Sequence, residues 1–244
     1  MSAVALREGG STTTFVLVHG AFHGGWCWRR VAQRLRARGH CVFAPTLSGP
    51  ARRPPAPRDV DLSTNVADVI ELIERRQLHQ VVLIGHSYGG VVGAWAADSV
   101  PDRIARLVCV DSPLPASGCS IVDTHPDGRD WLRTVVDING RSYVAVPDSD
   151  VSLFGVTEKR DIRWLKSQLT PQPVLTICQP LLLSGALDRV PKRYIRCRVP
   201  GQPPDPAFVE RIKADVTWDF RVLPAAHDAM ITAPAQLTEL LLET

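Results

Sequence analysis

Gln80-Val81-Val82-Leu83-Ile84-Gly85-His86-Ser87-Tyr88-Gly89-Gly90, running on into the small and apolar residues Val91 to Ser99, is the stretch on which the fold turns. Gln80 to Ile84 is apolar on both faces, which predicts a buried central strand of a parallel sheet. The residues after Gly89 predict a helix to about Ser99. Between them Gly85, Ser87 and Gly89 spell G-x-S-x-G. The glycines are needed because the chain turns sharply from strand to helix, where side chains would collide with the neighbouring strand and helix. Such a turn lifts the serine hydroxyl out at the top of the sheet. The N-terminus of the following helix favours negative charge developing there. The pentapeptide alone is a modest signal; its buried strand and small-residue helix make Ser87 the candidate nucleophile.

Working outward, the strand–helix beat recurs. Thr13 to Val18 predicts a strand ending at His19-Gly20. A helix follows over Trp26 to Arg38, closed by Gly39, and then a short strand, His40 to Pro45. A Pro/Arg-rich loop, Gly49 to Pro57, leads to a helix over Leu62 to Arg76, with Val66, Val69, Ile70 and Ile73 at helical spacing. Ile104 to Val110 predicts a strand ending at Asp111. Later come a strand at Arg193 to Val199, a helix at Pro206 to Ala214, a strand at Trp218 to Leu223 and a helix from Pro234. The pattern implies an α/β fold with a mostly parallel central sheet flanked by helices. Residues 113–180 break the beat and read as an inserted cap, with residues 1–112 and 181–244 forming the core. In the cap, Trp131, Leu132, Phe154, Trp164 and Leu165 are candidates for an apolar pocket or for local cores.

The chain has 244 residues, 45% of them hydrophobic, enough for one large core without disulfides or metal. A net charge of +3 is too mild to argue for nucleic acid, and Arg52, Arg53 and Arg58 lie among prolines in the loop. The six cysteines show no CxxC and no metal-ligand spacing. Cys41, Cys109 and Cys197 fall in apolar runs, as small buried hydrophobes do. Met1 to Thr14 holds no signal-peptide core, and no apolar stretch reaches the ~18 residues of a membrane helix. The expectation is a cytoplasmic protein with no nucleic-acid or membrane partner, no metal and no organic cofactor.

A serine hydroxyl needs a base to become a nucleophile. In G-x-S-x-G enzymes the partners follow in the order serine, acid, histidine. His227 follows the strand Trp218 to Leu223 and is the histidine after His125. It is the candidate base. The oxyanion calls for two preorganised N–H donors, each worth ~3 kcal/mol of barrier. Tyr88 supplies one. Ala21, in the loop after the first strand where Gly20 allows close approach, supplies the other. His19 and His23 are expected to hydrogen-bond loop backbone, with Trp26 and Trp28 packed under that loop.

Val16-Leu17-Val18-His19-Gly20-Ala21-Phe22-His23-Gly24-Gly25-Trp26-Cys27-Trp28 resembles the opening of the plant methylesterase and hydroxynitrile lyase group of α/β-hydrolases. Gly39-His40-Cys41-Val42, the elbow Val82 to Gly90, and His227 with Pro234 and Leu237 continue the likeness. The resemblance implies a hydrolase with a small cap over an apolar pocket, acting on small aromatic or terpenoid-like esters. The lyases of that group carry threonine in place of the glycine of His-Gly-Ala and lysine after the catalytic histidine. Here those positions are Gly20 and Asp228, and an aspartate would repel cyanide, so the resemblance points to the esterase branch. The group's usual acid position corresponds here to Pro200. Two candidates remain: Asp111, at the strand end after the nucleophile helix, where ligands and catalytic groups gather, and Asp205, further along the usual loop. Asp111 is favoured.

Overall fold

Side chains alternate along the central strands and build two cores. Val16, Val18, Val81, Leu83, Leu107, Cys109 and Tyr194 are buried on one face of the sheet. Phe15, Leu17, Val82, Ile84, Val108, Val110 and Ile195 are buried on the other. This is the period of two expected of strands covered on both faces. The structure, a computed structural model, describes residues 12–49, 59–125, 127–146, 151–198 and 206–243. The arginines at 52, 53 and 58, Pro200 and the candidate acid Asp205 lie outside the described residues.

The strands in chain order are β1 (Thr14–Val18), β2 (Cys41–Phe43), β3 (Val81–His86), β4 (Ile104–Val110), β5 (Val135–Asp137), β6 (Ser142–Val144), β7 (Gln172–Pro173), β8 (Lys192–Cys197) and β9 (Trp218–Leu223). Six of them form a sheet in the order β2-β1-β3-β4-β8-β9, and every pairing in it is parallel. The chain order reverses between β1 and β3, where an open α/β sheet leaves a crevice at its carboxyl edge. The register pairs Val18 with Gly85 and His86 with Val110. The loops that begin at His19, Ser87 and Asp111 therefore emerge side by side.

The helices are α1 (Arg29–Ala37), α2 (Leu62–Arg75), α3 (Tyr88–Ser99), α4 (Ile121–Thr124), α5 (Gly128–Trp131), α6 (Lys159–Gln168), α7 (Val174–Cys178), α8 (Pro206–Ala214), α9 (Ala229–Thr232) and α10 (Pro234–Leu242). Val31, Ala32 and Leu35 of α1 share one core with Leu237 and Leu241 of α10. Val66, Val69 and Ile73 of α2 share the other with Val91 and Val92 of α3. Asp61 caps α2: its carboxylate accepts from Thr64 N–H at 2.8 Å, and the Thr64 hydroxyl faces Asp61 N–H in return. This satisfies donors that a helix start leaves free. Arg193 is buried in β8, satisfied by Asp219 of β9 at 2.7 Å and by the Leu240 carbonyl of α10 at 2.7 Å.

Several expectations are corrected. Gly25–Trp28 is a 3₁₀ turn and the α-helix begins at Arg29. Cys41 is exposed rather than buried, because β2 is an edge strand and this side chain points away from the core; Cys109 and Cys197 are buried as expected. The segment between β4 and β8, over which no elements were predicted, holds an antiparallel sheet in the order β5-β6-β7 and the short helices α4 to α7. Among the described residues no helix is long and apolar enough to cross a membrane.

Candidate active site

Ser87 sits between β3 and α3 with φ 51° and ψ −125°. That backbone is disfavoured for a residue with a Cβ and costs on the order of 1–3 kcal/mol. Two glycines make the bend possible. A Cβ on Gly85 would lie 2.2 Å from Gly89 O, and one on Gly89 would lie 2.5 Å from the carbonyls of Val18 and His19. The turn is held from below: Ser87 N–H donates to Val110 O at 3.0 Å, and the Ser112 hydroxyl donates to Ser87 O at 2.7 Å. Ser112 is fixed in turn by Tyr194, whose hydroxyl donates to Ser112 O.

The neighbouring strand end delivers Asp111. Its φ is 46°, a left-handed conformation that aspartate tolerates better than most residues. Its Oδ2 accepts from His227 Nδ1 at 2.7 Å. Its Oδ1 accepts from Arg196 Nη1 at 2.7 Å and from Cys197 N–H at 3.1 Å. Burial by itself would raise the Asp111 carboxyl, but the hydrogen bond and charge of His227, then Arg196 and Cys197 N–H, hold it below the usual carboxylate value. For His227 burial disfavours the cation, yet the hydrogen bond and charge of Asp111 outweigh it and leave the imidazole above its ordinary value. With Nδ1–H committed to Asp111, Nε2 is the ring atom left free for a proton.

Ser87, His227 and Asp111 all face one cavity of about 790 Å³, mouth included. Gly20, Ala21 and Tyr88 line it beside them. Among the described residues no hydrogen bond uses the N–H of Ala21 or Tyr88; Tyr88 lies in the first turn of α3, where helices leave amides without intrahelical partners. The structure thus brings together the sequence-selected Ser87, Asp111, His227, Ala21 and Tyr88.

The surrounding histidines set the two loops, as expected for His19 and His23. His19 Nδ1–H donates to Gly20 O at 2.8 Å, and its Nε2 accepts from Leu47 N–H at 3.1 Å. Gly20 O and Ala21 N–H belong to one trans peptide unit, so this bond turns Ala21 N–H the opposite way. Burial pushes His19 down to about 4, which keeps it neutral. His23 Nδ1–H donates to Ala21 O at 2.7 Å. His86 Nε2–H donates to His227 O at 2.9 Å; burial, then repulsion by His227, push it down to about 3.

Sequence reasoning missed Arg196, Ser112, Gln172 and the role of His86. Gln172 accepts from Phe22 N–H at 3.1 Å and so ties β7 to the loop after β1. No local pattern marks any of them, because each acts through a partner distant in sequence. Of the pocket candidates between β4 and β8, Trp131 and Phe154 line the cavity, together with Ile121, His125, Val144 and Ile177. Leu132 is exposed, Leu165 is a core residue, and Trp164 packs edge-on against Trp26 at 5.2 Å. Trp26 stacks on His23 under the loop, and Trp28 is fully buried. Among the described residues no group of three or more His, Cys, Asp or Glu is placed to hold a metal ion.

The profile described as the alpha/beta hydrolase family matches residues 15–240. "Carbendazim hydrolyzing esterase" from Nocardioides sp. (strain SG-4G) is 35% identical over 236 residues, 92% of this chain and 96% of that protein. "Methylesterase 7" of Arabidopsis thaliana is 26% identical over 257 residues, 94% of this chain and 95% of that protein. The structure of tomato Methylketone Synthase I complexed with 2-tridecanone superposes with a TM-score of 0.78 at 20% identity, covering 96% of this chain and 98% of that one, a likeness of fold.

Proposed function

The chain belongs to the alpha/beta hydrolase family, and we propose that it is a serine esterase cleaving an ester of a small apolar or aromatic compound through an acyl-enzyme. The observation that carries this reading is the 2.7 Å contact between His227 Nδ1 and Asp111, at the cavity that Ser87 also faces. Esterase relatives matched over nearly their whole length support the reaction class.

In this mechanism His227 Nε2 takes the proton of Ser87 Oγ as the oxygen attacks the acyl carbon. Asp111 stabilises the imidazolium that forms. The N–H groups of Ala21 and Tyr88 receive the charge on the tetrahedral oxygen. His227 then gives its proton to the leaving alkoxide. Water, activated by the same base, clears the acyl-enzyme. The aromatic walls Trp131, Phe154 and Phe22 favour a flat or apolar substrate body.

The lyase alternative is disfavoured by two residues. A Cβ at Gly20 would stand 2.9 Å from His86 Nδ1 and 3.1 Å from Ser87 Cβ, leaving no room for a threonine without movement. Asp228 puts a buried carboxylate, not a cation, beside the base. A non-catalytic ligand-binding role would fit a site without an acid, whereas Asp111 stands within hydrogen-bond reach of His227. The test is rapid quenching during turnover of p-nitrophenyl acetate, butyrate and benzoate. An acyl mass increment on the Ser87 peptide, absent from Ser87→Ala, is expected. Turnover without any acylated serine would overturn the proposal.

A further inference from the structure

Asp228 follows the candidate base directly and is completely buried, yet it belongs to neither the nucleophile nor the base contact. Its Oδ2 lies 3.0 Å from His23 Nε2. The other ring nitrogen of His23 donates to Ala21 O. Both nitrogens of His23 therefore face acceptors, and a neutral imidazole paired with an ionised carboxylate would leave one contact without its proton. One further proton, shared between the ring and the carboxylate, satisfies both contacts. His23 is packed between Trp26, stacked at 5.3 Å, and Phe154, edge-on at 5.0 Å. Asp228 N–H donates to Phe154 O at 3.0 Å. Its Oδ1 has no hydrogen-bond partner among the described residues and lies 3.8 Å from His86 Nε2. Burial alone would raise the Asp228 carboxyl, but the charge and hydrogen bond of His23, and the nearby His86 and His227, hold it low.

We propose that Asp228 and His23 form a buried positioning pair that couples the base loop to the oxyanion loop, so that His227 and the Ala21 N–H keep their relative placement during turnover. The coupling rests on the serine-esterase reading; the contact itself does not. The chain of contacts runs from Asp228, beside His227, through the His23 ring to the Ala21 carbonyl. Ala21 O and Phe22 N–H share one peptide unit, and the latter is fastened to Gln172. The peptide carrying the Ala21 N–H is pinned separately by His19. His23 and His19 thus fix consecutive peptide planes, and among the described residues it is the plane fixed by His23 that is referenced to the base loop, through Asp228.

The variants separate geometry from charge. In Asp228→Asn the amide can donate to His23 Nε2, while Nδ1–H still donates to Ala21 O, so the path persists without the extra proton. Asp228→Ala cuts it and leaves the main-chain bond to Phe154 in place. With p-nitrophenyl butyrate, D228A is expected to lower kcat ~10²-fold, the scale of one lost oxyanion donor, with KM nearly unchanged. D228N is expected to restore kcat to within a few-fold of wild type. The double variant H23A/D228A should lose no more than the worse single variant, as members of one unit do. D228A retaining wild-type kcat, D228N falling as far as D228A, or losses that multiply would each overturn the proposal. Proton NMR on 15N-histidine-labelled protein reads the contact without turnover: a downfield proton between His23 and Asp228 is expected in wild type and lost in D228N. Its absence from wild type overturns the pair even if D228A fails to fold. If wild type hydrolyses no ester while this proton is present, the esterase reading fails and the contact stands.

Discussion

Replacing Asp111 by asparagine should switch the candidate base to the wrong tautomer without emptying the site. Asp111 Oδ1 accepts from both Arg196 and Cys197 N–H. An asparagine must keep its carbonyl oxygen on those two donors, which turns its Nδ2–H toward His227. His227 Nδ1 then becomes an acceptor and its single proton moves to Nε2, the atom that has to receive the serine proton. In another serine hydrolase the same exchange lowered turnover ~10⁴-fold with the geometry intact, which at 1.36 kcal/mol per decade is about 5.4 kcal/mol of barrier. The assay is kcat for p-nitrophenyl butyrate in D111N, with circular dichroism to confirm the fold and D205N as the control. D111N is expected to retain on the order of 10⁻⁴ of wild-type kcat, and D205N to stay within a few-fold. A D111N enzyme keeping a tenth of wild-type activity, or a D205N enzyme losing activity in its place, would refute the assignment of the acid.

Four further outcomes follow from the structure. Because Asp111 holds His227 above its ordinary value of 6.5, and the base acts when neutral, kcat/KM should fall as pH drops through a midpoint above 6.5; a limb below it speaks against the pairing. The sign for stability is the reverse: the His227–Asp111 pairing contributes in full below the unfolded histidine value and fades as pH rises through the raised one, so thermal melts of wild type and D111N should converge at alkaline pH. Asp61→Ala removes the cap of α2 and should cost about 1 kcal/mol, a fall of roughly 2–4 °C in Tm for a chain of this size, with unchanged Tm counting against the cap. Trp131→Ala should raise KM for p-nitrophenyl benzoate more than for the acetate, since the ring walls the cavity; an equal effect on both esters would remove Trp131 from substrate recognition.

What the residues revealed in advance depended on how local the constraint is. The elbow was readable because Gly85 and Gly89 leave space that no other side chain can vacate, and they flank a strand apolar on both faces. The candidate base, His227, was readable from chain order. Asp111 was only one of two choices, because its pairing with His227 spans 116 positions and nothing beside it announces a left-handed strand end. Arg196 was invisible for the same reason: on β8 it looks like any polar residue on an alternating strand. The small antiparallel sheet escaped because its strands are two or three residues long and β5 is exposed along its whole length, so no hydrophobic period could form. Cys41 misled because an edge strand carries apolar residues without burying all of them.

Intact-mass spectrometry after treatment with a fluorophosphonate addresses the nucleophile directly. One adduct is predicted, located on the peptide bearing Ser87, absent from Ser87→Ala and much slower to form in His227→Ala. An unmodified wild-type protein, or the same adduct on Ser87→Ala, would contradict the account.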